Sequence, residues 1–230
     1  MNWPVPKDIP LPLPGDDVML RALLVILFMV HLLFVNLMVG GTLLAVVFEW
    51  IGTRKKGFDR LAYEGAKTVT FTKSLAVVLG VAPLLVMNVV YTLHWYTAND
   101  LTGAAWIGLV PLIALAFLVT YAYKYSWDRL AHAKGLHLAI GVLGAALFLF
   151  IPLVFLTNIN LMQFPGRWLE VSGFFSAAAL PNVLPRYLHV LTATVAVTAT
   201  TGGGLGRSGG GDERHAARDA GDQQRVIEPD

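Results

Sequence analysis

Apolar runs of about 20 residues recur along most of this chain, and they limit its fold more than any other feature of the sequence. At 1.5 Å per residue, a helical run of that length crosses the hydrocarbon layer of a bilayer. A helix also pairs every backbone N–H and C=O within itself, which lipid surroundings demand. The runs therefore predict an all-α, polytopic transmembrane helical bundle of about five helices, near residues 20–50, 72–94, 105–125, 136–158 and 183–201. Only 14% of the residues are charged, against roughly 25% in soluble domains. The first run is too long to lie wholly in hydrocarbon, so it must tilt or project.

Three segments follow from this pattern. Residues 1–19 are proline-rich, with no basic segment set directly before a short apolar one, and read as an extracytoplasmic N-terminal stretch without a cleavable signal. Residues 20–201 form the transmembrane domain. Residues 202–230, rich in glycine and charge and without aromatic residues, read as a disordered cytoplasmic tail.

Charge placement orients the bundle. The stretch after the first helix carries five Lys or Arg before Lys73 against two acids, and "KYSWDRLAHAK" adds Lys124, Arg129 and Lys134. The stretch "HWYTANDLTG" has none, so the first and third connections are read as cytoplasmic and the N-terminus as outside. The fourth connection lies outside yet holds Arg167 beside an aromatic-rich stretch, with Arg186 just beyond it, which suits an interfacial segment. Lipid phosphates or the anionic groups of a cofactor, such as haem propionates, would each account for those arginines.

The net charge of +2 and the lack of a basic stripe exclude a nucleic-acid partner. Cysteine is absent, which removes disulfides, thiolate metal sites and haem attached through CxxCH. Attention falls on the histidines. His31 lies inside the first apolar run, where an imidazole is either satisfied by a neighbouring helix or free to hold iron. Gly40 and Gly41 leave room there for a close helix or a flat cofactor. His189 falls near the outer mouth of the fifth helix, with Arg186 three residues before it on roughly the same face. His94, beside Trp95 and Tyr96, reads as an interface anchor or part of an outer cofactor or quinol site; His137 reads as structural. His132 and His215 read as solvated groups. Glu49, about 27 Å along the helix from His31, reads as a partner for Arg54 or Lys55, with a proton-entry role as the alternative.

Four stretches carry a family resemblance: "HLLFVNLMVGGTLLAVVFE" at 31–49, "WDRL" at 127–130, "NLMQFPGRW" at 160–168 and "LPRYLHVLTA" at 184–193. In this order they resemble the N-terminal half of the haem-bearing subunit I of cytochrome bd-type quinol oxidases. The resemblance implies a multi-pass protein of the cytoplasmic (inner) membrane, a membrane haem b protein exchanging electrons with the quinol pool. It implies His31 as an axial iron ligand in the high-spin haem pair and His189 as an iron ligand of the low-spin haem b; Arg186 and Arg167, by their charge and position, are read as cofactor-binding residues beside them. It further implies quinone or quinol and a second membrane subunit as partners; as half of an assembly the chain is also expected to pair with a second copy or an extracytoplasmic redox partner. In a complete assembly the activity would be that of a quinol oxidoreductase. The family's methionine ligand, its glutamate ligand and its quinol-binding loop all follow the fifth helix and have no counterpart in this sequence. Nor does "AAWIGLVPLIALAFLVTYAYKY" hold the acids of the family's proton path. Two other readings stay open: a cofactor-free transmembrane scaffold, and half of a normal oxidase subunit.

Overall fold

The computed structural model describes residues 12–201, all of whose regular structure is helical. The outer parts of the two terminal segments, residues 1–11 and 202–230 with His215, lie outside the described residues. Helix α1 runs Asp17–Gly52 and starts where the Asp16 side chain accepts the Met19 N–H at 2.9 Å. Helix α2 runs Lys56–Val90 antiparallel to it, and the pair packs along most of its length. Helices α3, Thr92–Ile107, and α4, Leu109–Tyr125, follow one another with a kink at Gly103, whose φ of +34° suits a residue without Cβ. Helix α5, Lys134–Gln163, packs on α4, α1 and α3. A 3-10 turn, Pro165–Glu170, and the short α6, Phe174–Ala178, fold back over the far end of α3 and α5. Helix α7 covers 183–201.

Four spans, Asp17–Gly52, Gly57–Val90, Thr92–Tyr125 and Lys134–Gln163, are long and apolar enough to cross a membrane. Their outward faces carry Ile26, Met29, Val78, Val81, Leu85, Val110 and Leu118, all exposed. An apolar surface of that extent needs lipid or a partner helix against it.

The helices are longer than the apolar runs suggest. The charged stretch read as a connection, 52–73, is mostly the first part of α2, and the loop shrinks to three residues, Thr53 to Lys55. The reason is a buried seam: Ala62, Ala66, Val69, Lys73, Ala76 and Gly80, small apart from Val69 and Lys73, are all buried at alternating spacings of four and three residues. Arg60, Glu64 and Lys67 take the opposite, exposed face. Charge content concealed a helical periodicity there.

Small residues also set how closely the helices approach. A Cβ on Gly41 would fall 2.8 Å from Val69 Cγ2, and one on Gly141 would fall 2.6 Å from the Tyr123 ring. Gly40 lies against Thr198 of α7, where the Thr198 hydroxyl donates to the Asn36 carbonyl at 3.0 Å and Thr194 to the Asn36 side chain at 2.8 Å. The threonines of α7 therefore fasten it to α1 by hydrogen bonds.

Candidate functional site

The bundle has two chemically distinct ends, one at Gly52, Lys56, Tyr125 and Lys134, the other at Asp17, Val90 and Gln163. His31 lies between them. Its Nδ1 is 2.9 Å from the Ala76 carbonyl of α2, and its ring rests on Gly80, where a Cβ would come within 2.8 Å of Cε1. A carbonyl only accepts, so Nδ1 carries the proton and Nε2 keeps the lone pair. That arrangement both ties α1 to α2 and orients the ring as metal-ligating histidines are oriented.

The other three residues of the expected cofactor site lie at the Gln163 end, and each has a separate engagement. Arg167 donates to Glu170 of its own turn at 2.9 Å. Arg186 donates to the Gln163 side chain at the end of α5. His189 is exposed on α7, its backbone carbonyl accepting from Thr192 at 2.8 Å. Although three residues apart on one helix, Arg186 is half-buried toward α5 while His189 faces outward. These side chains supply single potential iron ligands, not the enclosing walls and second ligand of a low-spin haem. Among the described residues, no three His, Asp or Glu side chains gather as a metal site. By itself, this set does not fit a complete haem b pocket.

The densest chemistry lies at the opposite end, around a carboxylate that sequence reasoning assigned elsewhere. Glu49 of α1 is fully buried and is not paired with Arg54 or Lys55, which are exposed. Its Oε1 is 2.5 Å from His137 Nδ1 of α5, and its Oε2 accepts the Tyr123 hydroxyl of α4 at 2.8 Å. Lys134 Nζ sits 4.0 Å from Oε1 and 2.7 Å from Asp59 of α2. His137 is equally buried, its Nε2 2.8 Å from the Tyr123 carbonyl. Tyr123 stacks on the His137 ring at 4.7 Å, and Trp127 meets it edge-on.

The acceptors around His137 restrict its protons. The Tyr123 carbonyl requires Nε2 to donate, so Nδ1 either donates to an ionised Glu49 or accepts from a protonated one. One proton lies between Nδ1 and Oε1 in both arrangements. Side chains from α1, α2, α4 and α5 thus converge on one buried ion-pair network. About four turns along α2 from Asp59, Lys73 is also fully buried, donating to Thr120 at 2.9 Å and lying 3.3 Å from the Tyr121 ring centroid. No carboxylate pairs with Lys73 among the described residues.

These groups were partly legible in the sequence. Glu49 and His137 fall at corresponding ends of their helices, and Tyr123 precedes His137 across a short connection. Their register, which aims all three at one point, is set by packing.

A cleft of about 330 Å³ opens at the other end, lined by Met87, Tyr91, His94, Ile159, Met162 and Gln163. His94 lies within it and packs edge-on against Trp168 at 5.8 Å.

No protein-family profile, characterised protein or solved structure matches the chain. Its fold and surface define a helical, largely apolar, multi-span membrane protein.

Proposed function

We propose that this chain is one half of a membrane redox assembly, a helical scaffold resembling the N-terminal half of subunit I of the cytochrome bd-type quinol oxidases. In this reading it presents His31 and His189 to helices of a further subunit or second copy, which complete the haem sites. The assembly exchanges electrons with the quinol pool in the cytoplasmic membrane, passing them to oxygen or to an extracytoplasmic redox partner.

The observation that carries the reading is the outward face of α7. Leu184 and Leu188 are exposed at its start, and from His189 onward Thr192, Val195, Ala196, Ala199 and Thr200 are exposed, so beyond the histidine all but Val195 are small or hydroxyl-bearing. Lipid favours large aliphatic groups, whereas small residues permit close helix contact and hydroxyls bond across it. His31 supports the same reading, since the Ala76 carbonyl leaves Nε2 as its free nitrogen. When bound, haem b would supply one-electron chemistry; the chain would supply a ligand, its orientation and part of the apolar surroundings.

The His31 bond to Ala76 also favours a second reading, a cofactor-free scaffold in which the imidazole serves only to join α1 and α2. Reduced-minus-oxidised visible spectra separate the two. The chain purified alone from haem-supplied cells should carry no stoichiometric haem b. The assembly drawn from native membranes in mild detergent should carry it, and should lose or alter one haem signal with His189→Ala. A folded assembly without haem supports the scaffold; one haem per isolated chain refutes the half-assembly.

A further inference from the structure

The cleft at the Gln163 end has a polarity that none of the preceding chemistry uses. Met87, Ile159 and Met162 provide its apolar wall, and Tyr91, His94 and Gln163 its polar one. The oxygens of Tyr91 and Gln163 in that wall each already accept a hydrogen bond. Arg21 Nη1 donates to the Tyr91 hydroxyl at 2.7 Å, and Arg186 donates to Gln163 Oε1. Tyr91 therefore has its own proton to donate and Gln163 its amide N–H groups. The His94 ring, packed on Trp168, makes no hydrogen bond to another described residue and adds a further donor.

Charge points the same way. Asp17 is held by Arg21 at 2.8 Å and Glu170 by Arg167 at 2.9 Å, while Arg186 has no carboxylate partner among the described residues. No acid lines the cleft. The result is a donor-rich recess beside Arg186 where α2 and α5 end, with an apolar wall of Met87, Ile159 and Met162.

We propose that this cleft binds the phosphate headgroup of an anionic membrane lipid, with the phosphate oxygens taking the donors of Tyr91, His94 and Gln163 beside Arg186 and the acyl chains leaving along Met87 and Met162. The volume of about 330 Å³ accommodates a headgroup at the small end of ligand sites and leaves the chains in the bilayer. The site is independent of haem and of the proposed redox role.

The test uses the full chain released from nanodiscs into native mass spectrometry, with phosphatidylglycerol and phosphatidylcholine of identical chains as probes. One retained phosphatidylglycerol, preferred about fivefold, is the expectation for a single cation near an anionic headgroup. Arg186→Gln should bring the two lipids to parity, and His94→Phe should weaken retention while keeping ring packing on Trp168. His94→Phe also serves if Arg186→Gln fails to fold. Equal retention in the native chain, or a preference unchanged in the variants, overturns the site. Inorganic phosphate displacing the lipid at matched concentration would show a soluble-anion site and overturn the lipid assignment.

Discussion

Removing the carboxylate of Glu49 should be among the most damaging single changes available to this fold. In Glu49→Leu the His137 ring stays fully buried with Nδ1 facing an apolar side chain, and the Tyr123 hydroxyl loses its acceptor at 2.8 Å. Breaking a buried pair by deleting one partner costs about 3–5 kcal/mol. His137→Leu does the converse, leaving Glu49 with Tyr123 and the more distant Lys134, and should cost a similar amount, about 3–5 kcal/mol. In the double variant neither polar group remains to be desolvated, and apolar replacement of a whole buried pair is often close to neutral. The double variant should therefore be less unstable than the sum of the singles by at least about 2 kcal/mol. Unfolding by sodium dodecyl sulfate in mixed micelles, followed by far-ultraviolet circular dichroism, measures all four corners of the cycle. Additive losses, or single variants within about 1 kcal/mol of the native chain, would refute the buried pair as an energetic unit.

Two further changes probe the packing. Gly141→Val would drive its side chain into the Tyr123 ring, which a Cβ alone would approach to 2.6 Å; the same unfolding assay should show a loss of about 1–3 kcal/mol, and an unchanged midpoint would refute the close α4–α5 contact. Lys73→Met removes a fully buried cation that has hydroxyl, carbonyl and ring partners but no carboxylate among the described residues. Because the charge is poorly compensated, the variant should match or exceed native stability. A marked loss of stability would refute that account.

The resemblance at 31–49 and 184–193 draws attention to His31 and His189, yet the two have different surroundings in the fold. His31 joins two helices, and His189 remains outward beside small residues. The outer parts of α1, α2 and α5 keep large aliphatic residues exposed, as a lipid boundary requires, and so does the start of α7 with Leu184 and Leu188, whereas beyond His189 the exposed side of α7 is mostly threonine and alanine. That change in side-chain size along α7 is the physical basis for proposing a partner there.

By itself, the sequence determined the class of fold. Long apolar runs with few charges must become helices in lipid, because backbone groups have no other partners there, and the positions of α1, α4, α5 and α7 follow directly from those runs. Their ends did not, because the charged extension of α2 is held helical by Ala62, Ala66 and Val69 seated on α1, a pairing visible only once the neighbour is in place. The polar centre lay still further from view. Glu49 has charged sequence neighbours on its C-terminal side and His137 begins an apolar run, so local composition assigns one to the surface and marks the other as structural without naming its partner. Only the packing of α1, α4 and α5 brings Glu49, Tyr123 and His137 within hydrogen-bond reach. Gly141 contributes by having no side chain to keep α5 from the Tyr123 ring, and the burial that follows makes pairing of the charges obligatory.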